Sequence, residues 1–355
     1  MKILYVITGL TLGGAEKVVC TLADEMVKRG HEVKIAFLKG RVEVFPQNKE
    51  IELINLELNS TLSFLRASCK YKKLVKSFMP DVIHAHMVHA NIFARINQIY
   101  PIKVTLICSA HNSNEGGKIR MLAYRITNFL SHLNTNVSIE ATEALIKKGA
   151  FNQKNIVTVY NGVDLNKFNN KDKVIEKKNK KICLSVGRLN VQKDYFNLLN
   201  AITLIDKAIL NDIEFHIVGE GELRGEIEQK IKELNLEDKV TLLGMRSDIP
   251  DLLNNADFFI LSSKHEGLPT VLIEAMACKC FVVTTDCGGS VEIIGDTGIL
   301  VPRQNHQELA NGLQKAFNLN SNTIHQNNMK ARTRVEEKFS LEQSINQWLD
   351  LYERN

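Results

Sequence analysis

Residues 2–20 read KILYVITGLTLGGAEKVVC and carry the pattern that decides the fold. A β-branched apolar run leads into a loop with a double glycine, after which apolar residues recur at helical spacing. This order predicts a strand, a loop and a helix over residues 14–29. A secretory signal peptide is a poor interpretation, because the double glycine and the charged pair Glu16 and Lys17 interrupt the apolar run.

The strand and helix pattern recurs along the chain. Further strand-like runs in the first half are EVKIAFL, IELINLEL, DVIHAH, KVTLICS, NTNVSI and NIVTVYN. Those of the second half are KICLSVG, EFHIVG, VTLLG, FFILSS, CFVVTT and GILVP. Such alternation predicts α/β domains with parallel sheets, and 355 residues suit two of them. We expect a first domain over 1–166, a polar linker over 167–180, a second domain over 181–338 and a C-terminal helix within 339–355.

Composition narrows the class of protein. Hydrophobic residues make up 44% and charged residues 24% of the chain, and no apolar stretch reaches the roughly 18 uncharged residues of a membrane-spanning helix. The seven cysteines form no C-x-x-C pair, which favours reduced thiols and a cytoplasmic location. Residues 1–168 hold 22 Lys and Arg against 13 Asp and Glu, a net +9, whereas the remainder holds 23 against 27, a net −4. We therefore expect the first half to face an anionic partner.

The stretch EGLPTVLIEAM, residues 266–276, combines a helix start with two carboxylates. Pro269 suits the first helical position, and the positive end of the helix can then hold a phosphate. The backbone amides expected to remain available belong to Leu268, Thr270 and Val271. Glu266 before the helix and Glu274 within it could each bind sugar hydroxyls, as a nucleotide sugar requires. A buried helix with incidental acids is the alternative, but it leaves a carboxylate inside an apolar run unexplained.

Two further post-strand loops are candidates for binding phosphate. VGRLNVQKD places Arg188 and Lys193 where they could clamp a diphosphate, although either could be a solvated surface charge. VGEGELRG, residues 218–225, nearly matches a dinucleotide fingerprint, but its third glycine comes one residue late. A helix-capping turn near a ligand is the favoured interpretation of that stretch.

Three motifs of the first half remain open to two interpretations. Gly13 and Gly14 could let a phosphate approach the helix start, or could form an ordinary tight turn. His84 and His86 in HAHMVH share a strand face, which suits a metal ion or hydrogen-bonded histidines. His111 lies at a strand end, where catalytic and sugar-binding groups are found in α/β proteins. The sequence contains no D-x-D motif, so no metal is expected to chelate a diphosphate.

Two segments of the first half are basic and amphipathic. Residues 61–79 contain five cations and no acid, and residues 118–132 contain three cations and no acid. Such segments can lie on an anionic membrane or contact a lipid phosphate, whereas the alternative is a solvated helix face.

Taken as a set, these motifs resemble those of the family 4 retaining glycosyltransferases of the GT-B fold. The matching stretches are GGAE, AHN, VYNGVDLNKF, VGRLNVQKD, VGEGEL, EGLPTVLIEAM and DCGGSVEII. The resemblance implies two Rossmann-like domains that face a central cleft, with the C-terminal helix crossing back to the first domain. It further implies that the first domain binds the acceptor and the second binds the nucleotide sugar.

The resemblance also implies roles for particular residues. Arg188 and Lys193 would stabilise the leaving diphosphate, and Glu274 would bind the ribose. Glu266 would contact the donor sugar, and His111 would hydrogen-bond the transferring sugar. The remaining substrate-binding positions are Gly13, Gly14, Gly244, Met245, Arg246, Gly267, Leu268, Pro269 and Thr270.

The expected activity is metal-independent, retaining transfer of a hexosyl group from a nucleotide sugar, by family frequency a UDP-sugar. The expected acceptor is a glycan or a lipid pyrophosphate in cell-surface polysaccharide synthesis, at the cytoplasmic face of the membrane. No cofactor and no nucleic acid is expected to take part. Two alternatives remain open: a sugar-nucleotide 2-epimerase of the same fold, against which the basic first domain argues, and a non-catalytic nucleotide-binding module.

Overall fold

The computed structural model describes residues 1–98, 104–113, 115–169 and 180–354. The chain divides into two compact units, and each is described below by itself. The first comprises Met1–Asn161 with Ser344–Asn355, and the second comprises Gly162–Gln343. Residues 170–179, most of the predicted linker, lie outside the described residues.

The first unit is built on a parallel sheet of seven described strands in the order β3-β2-β1-β4-β5-β6-β7. The strands are β1 (Lys2–Ile7), β2 (Glu32–Phe37), β3 (Glu52–Asn55), β4 (Val82–His86), β5 (Thr105–Ser109), β6 (Leu133–Asn136) and β7 (Ile156–Thr158). The helices before the chain enters the second unit are α1 (Gly14–Lys28), α2 (Phe64–Phe78), α3 (Val88–Ile96), α4 (Lys118–Thr127) and α5 (Ile139–Lys147).

The second unit repeats the design with six described strands in the order β10-β9-β8-β11-β12-β13. The strands are β8 (Lys181–Val186), β9 (Ile213–Val218), β10 (Val240–Gly244), β11 (Phe258–Leu261), β12 (Phe281–Thr285) and β13 (Ile299–Val301). The helices are α6 (Tyr195–Ile202), α7 (Lys207–Leu210), α8 (Arg224–Glu233), α9 (Ile249–Asn255), α10 (Thr270–Ala277), α11 (Ser290–Ile294), α12 (His306–Phe317) and α13 (Ser321–Lys338).

The last helix, α14 (Leu341–Arg354), packs on the first unit. The hydroxyl of Tyr352 lies 3.2 Å from that of Tyr5 on β1, and the ring of Trp348 lies 4.4 Å from the ring of His84 on β4. The helix lies within the predicted range 339–355, and at its start the Ser340 hydroxyl accepts a hydrogen bond from the Gln343 amide at 3.3 Å.

The central strands are apolar throughout because helices cover both faces of a parallel sheet. In β1, for example, residues 3–7 are fully buried. The predicted α/β class with parallel sheets is confirmed. Within the described ranges, no helix is both long and apolar enough to span a membrane.

The strand orders also locate the ligand sites that such sheets favour. The chain leaves β1 in one direction and returns on its other side at β4, and it does the same at β8 and β11. Ligands of open α/β sheets bind at these reversals, beyond the carboxyl ends of the strands. The candidate ligand-binding loops are therefore those that follow β1, β4, β8 and β11.

Candidate active site

In the second unit, the loops after β8 and β11 bring two predicted site residues together. Lys193 donates a hydrogen bond from Nζ to Oε1 of Glu266 at 2.7 Å, and the two side chains are only 16% and 11% exposed. The hydroxyl of buried Ser263 donates to the same oxygen at 2.8 Å, and Gln192 Nε2 lies 3.5 Å from Oε2. Glu266 is thus held by a cation and a hydroxyl in a setting largely closed to water.

Ser263 and Gln192 were missed at the level of sequence. Ser263 is the second residue after the FFIL strand, a place where ligand-binding residues are often found, but a pair of serines there carries no distinctive signal. Gln192 precedes Lys193 in the loop after β8, but an uncharged side chain between two cations carries no distinctive signal of phosphate binding.

Helix α10 begins next to Glu266, one residue later than predicted. Pro269 is the N-cap residue and not the first helical residue, because its ψ of 87° is not helical, although its carbonyl already accepts a hydrogen bond from the Leu272 amide at 2.9 Å. No acceptor in the described part of the chain bonds the Thr270 or Val271 amide. Two donors at the positive end of α10 therefore remain available for an anion. Glu274 is half-buried in the second turn of this helix.

The loop after β12 fixes the backbone beside Glu266. Gly288 adopts φ +52°, and a Cβ there would lie 2.4 Å from the carbonyl oxygen of Glu266. The next residue, Gly289, donates its amide to the carbonyl of Gly267 at 2.9 Å. Gly288 of DCGGS is therefore required for the close approach of this loop to the site, and the backbone amide of Gly289 adds a hydrogen bond.

Other predicted donor-binding residues lie on exposed surface. The Arg188 side chain is 67% exposed, and its Nε lies 3.4 Å from Oε2 of Glu222. Met245 is 68% exposed, and Arg246 Nε donates to Asp248 at 2.8 Å. These contacts do not join the Lys193–Glu266 pair.

Two of the three glycines of VGEGELRG, Gly219 and Gly221, serve backbone packing, whereas nothing lies within 4 Å of a Cβ on Gly225. A Cβ on Gly219 would lie 2.0 Å from the Gly187 carbonyl oxygen, and one on Gly221 would lie 2.2 Å from that of Leu189. The Gly219 amide also donates to the carbonyl of Gly244 at 2.9 Å. These contacts explain Gly219 and Gly221 without a dinucleotide.

In the first unit, Gly13 and Gly14 begin α1, but a carboxylate already lies there. Gly13 is the N-cap, and a Cβ on it would lie 2.3 Å from Oε2 of Glu16. Thr11 Oγ1 donates to Glu16 Oε1 at 3.3 Å, and burial raises the pKa of Glu16. Whether Gly13 and Gly14 contact a phosphate stays a prediction, and the Glu16 carboxylate competes for the same positive helix end.

His111 follows β5 and contacts a second histidine. Its Nε2 lies 3.0 Å from Nδ1 of His86, and burial lowers the pKa of His111 to about 4. His84 is bonded to Tyr352 and Ser109. His84 and His86 of HAHMVH are thus hydrogen-bonded histidines. Among the residues that the structure describes, no three His, Cys, Asp or Glu side chains are arranged to hold a metal ion.

The fold is the GT-B fold. The crystal structure of the Anabaena protein Alr3699/HepE in complex with UDP superposes with a TM-score of 0.87, over 100% of both chains and at 22% identity.

Family models and relatives then identify the family. The model for glycosyltransferase family 4 matches residues 12–167, and that for glycosyl transferases group 1 matches residues 166–336. A Campylobacter jejuni relative, GalNAc-alpha-(1->4)-GalNAc-alpha-(1->3)-diNAcBac-PP-undecaprenol alpha-1,4-N-acetyl-D-galactosaminyltransferase, is 30% identical over 90% of this chain and 89% of its own. A second from the same organism, N-acetylgalactosamine-N,N'-diacetylbacillosaminyl-diphospho-undecaprenol 4-alpha-N-acetylgalactosaminyltransferase, is 29% identical over 87% of this chain and 88% of its own. This chain belongs to glycosyltransferase family 4 and is a glycosyltransferase.

Proposed function

We propose that this enzyme transfers a hexosyl group, with retention of configuration and without a metal ion, from a UDP-sugar to a glycan carried on a polyprenyl diphosphate. The observation that carries the proposal is the buried Lys193–Glu266 pair beside the start of α10. The similar Campylobacter proteins are named for undecaprenyl-linked acceptors, and the Anabaena structure contains UDP, which supports the choice of acceptor and nucleotide. The proposed pathway is the synthesis of a surface polysaccharide.

The chemistry follows from the charges and donors of the second unit. The Thr270 and Val271 amides and the Lys193 ammonium can neutralise the diphosphate that leaves the sugar, with Arg188 reaching it from the exposed loop. Glu266 can accept hydrogen bonds from sugar hydroxyls, and its anionic charge favours the oxocarbenium-like character of the reacting carbon. Glu274 is assigned to the ribose. On this proposal, residues 181–338 form the donor domain and residues 1–166 form the acceptor domain.

The first test is donor binding measured by thermal stabilisation. A ligand at 100 times its dissociation constant adds about 2.7 kcal/mol of stability. We expect UDP and one UDP-hexose to raise the melting temperature, and the Lys193→Met and Glu274→Ala variants to lose the response. Lys315→Met, at an exposed position of α12, is the matched control and should keep it.

The second test is transfer to an acceptor. Release of UDP from the UDP-hexose should depend on a short-chain polyprenyl diphosphate that carries an N-acetylhexosamine. An epimerase would interconvert sugar nucleotides without an acceptor, and a binding module would release no UDP. Stabilisation by NAD alone, or by no nucleotide, would contradict the proposal.

We also propose that the first unit contacts an anionic membrane, because α4 and the turn after it expose a large apolar surface. Ile119, Leu122, Ile126 and Phe129 are 84%, 56%, 61% and 79% exposed, and they recur at helical spacing. Met121 and Tyr124 of the same helix are buried, so the helix is apolar on two sides. An exposed apolar strip of this size indicates a partner surface. The segment 118–132, which carries this strip, has three cations and no acid, and this charge suits anionic lipid headgroups.

The segment around α2 provides a second basic surface. Leu62 and Leu65 are 94% and 76% exposed. Three exposed lysines of this helix have no carboxylate partner in the described ranges: Lys72, Lys73 and Lys76. Lysines without acidic partners can attract anionic lipid at low salt, by about 1 kcal/mol each.

Co-sedimentation with vesicles tests the membrane contact. We expect binding to phosphatidylglycerol vesicles that weakens as salt is raised, and no binding to phosphatidylcholine vesicles. The double variant Ile126→Glu and Phe129→Glu should lose most of this binding. Met329→Glu, which charges an exposed apolar position of α13 in the other unit, should not. Equal binding by the double variant and the wild type would exclude the α4 surface as the contact.

A further inference from the structure

Three histidine rings lie together in the first unit, and the strand geometry explains two of them. His84 and His86 are two residues apart on β4, so both side chains project from the same face of the sheet, with ring centroids 3.9 Å apart. Both nitrogens of His84 are bonded: Nδ1 lies 2.7 Å from the Tyr352 hydroxyl and Nε2 lies 2.6 Å from the Ser109 hydroxyl. His84 thus links the sheet to α14.

Only one of the two ring nitrogens of His86 has a hydrogen-bond partner within the described residues, and that partner is His111. Its Nδ1 lies 3.0 Å from His111 Nε2, while its Nε2 is buried and has no hydrogen-bond partner within the described residues. Burial holds the pKa of His86 well below the usual range and that of His111 at about 4, so both rings are neutral at neutral pH.

A hydrogen bond between two neutral imidazoles contains one proton, and two arrangements are possible. If His111 Nε2–H is the donor, the proton of His86 must be on its own Nε2, which is a buried N–H without an acceptor. If His86 Nδ1–H is the donor, its Nε2 has only a bare lone pair. Orphaned buried N–H groups are rarer in proteins than orphaned acceptors. The second arrangement is therefore favoured.

We infer that His86 is a positioning residue that holds His111 in the Nδ1–H tautomer. Nε2 of His111 accepts the hydrogen bond from His86, and Nδ1 of His111 is then a hydrogen-bond donor. The inference rests on the proposed function and on the role that the family resemblance implies for His111, a hydrogen bond to the transferring sugar. In this tautomer His111 offers an N–H to a lone pair of a sugar oxygen and cannot act as a general base. No partner for His111 Nδ1 exists within the described ranges, which leaves that nitrogen available to substrate.

The backbone of His111 is fixed as well. Its amide donates to Oε1 of Glu115 at 2.9 Å, and the hydroxyl of buried Tyr124 donates to Oε2 of the same carboxylate at 3.3 Å. With the backbone held by Glu115 and Nε2 held by His86, little freedom remains for the ring to turn. The hydrogen-bonding character of its exposed edge is then set by His86.

The tautomer can be measured directly by long-range proton–nitrogen NMR on protein labelled with nitrogen-15 histidine. The His111 signals are assigned by their loss in His111→Gln. We expect the wild type to show His111 protonated on Nδ1. In His86→Leu the tautomer should shift toward Nε2–H, whereas His86→Asn, whose amide can donate near the Nδ1 position, should preserve the wild-type state. His89→Gln, at an exposed position three residues further on, is the control and should change nothing.

Kinetics provide the functional readout. We expect His86→Leu to lower kcat for sugar transfer roughly tenfold, with the KM for the UDP-sugar little changed, and His86→Asn to recover most of kcat. Stabilisation by UDP should persist in both variants, because the residues proposed to bind the nucleotide belong to the second unit.

An Nε2–H tautomer of His111 in the wild type would overturn the inference, and so would an Nδ1–H tautomer that persists unchanged in His86→Leu. Should His86→Leu fail to fold, the wild-type and His86→Asn spectra decide the question. The expected tautomers in a protein that transfers no sugar would contradict the proposed function while leaving the role of His86 intact.

Discussion

Replacing Lys193 with methionine tests the buried ion pair of the candidate active site. Methionine keeps the length and apolar character of the lysine stem but removes the charge, so the Glu266 carboxylate remains 11% exposed without its cation. Breaking a fully buried pair costs about 3–5 kcal/mol. Because Ser263 continues to donate to Oε1 at 2.8 Å, we expect a smaller loss of about 2–3 kcal/mol. In a domain of 150–250 residues this lowers the melting temperature by roughly 4–12 °C.

The assay is a double-mutant cycle in urea or on heating. Glu266→Gln removes the other charge, and the double variant Lys193→Met with Glu266→Gln leaves no buried charge unpaired. We expect the double variant to be more stable than the sum of the single losses indicates, by about 2 kcal/mol.

The single tryptophan of the chain, Trp348, lies in the first unit. Its fluorescence should therefore respond less to unfolding of the second unit than the far-ultraviolet circular dichroism, which follows both units.

Strict additivity of the two single losses would refute the pairing of Lys193 with Glu266, as would a melting temperature of Lys193→Met within 1 °C or so of the wild type.

Three further predictions concern stability in urea. Gly288→Ala should lower the free energy of unfolding by about 2–4 kcal/mol, because φ is +52° and the new Cβ would lie 2.4 Å from the Glu266 carbonyl oxygen. Gly225→Ala in α8, where nothing lies within 4 Å of the new Cβ, should raise it by up to about 1 kcal/mol. Equal effects of the two substitutions would contradict the geometry. The free energy of unfolding should fall as the pH drops from about 6.5 to 4, and His111 should contribute up to about 3 kcal/mol of this loss. In the unfolded state the His111 ring binds a proton below its ordinary pKa, whereas in the folded state its pKa is about 4 and the ring stays neutral. A flat pH profile of the wild type, or a profile of His111→Gln that is as steep as that of the wild type, would exclude this cause. Tyr352→Phe should cost about 1–3 kcal/mol, because it removes the partner of His84 Nδ1, and an unchanged unfolding midpoint would show that the bond contributes nothing.

Local patterns determined the class of fold and the identity of the motifs. Apolar runs of the length of a strand, separated by residues at helical spacing, specify parallel α/β units because both periodicities are properties of the backbone. The helix start in EGLPTVLIEAM was predicted to within one residue. The error arose because proline is favoured at the first helical position, whereas the tertiary structure gives Pro269 a ψ of 87°, which is not helical and makes it the N-cap.

Partners distant in sequence required the tertiary structure. Lys193 and Glu266 are 73 residues apart, and His86 and His111 are 25 apart. Their side chains meet because strand order places loops from different parts of the chain at one edge of a sheet, and strand order is not written in any local pattern. The sequence likewise paired Arg188 with Lys193 by proximity, whereas the structure places Arg188 beside Glu222.

Burial separated residues that the sequence treats alike. Met121 and Ile126 are both apolar residues of α4, yet one is in the core and the other is 61% exposed. The sequence by itself thus determined the secondary structure and the class of fold, since these depend on local backbone preferences, and it determined the residue types available for chemistry. Only the tertiary structure decided which charges are paired, which histidine nitrogen is free and which apolar face remains uncovered, because each depends on what the rest of the chain places beside it.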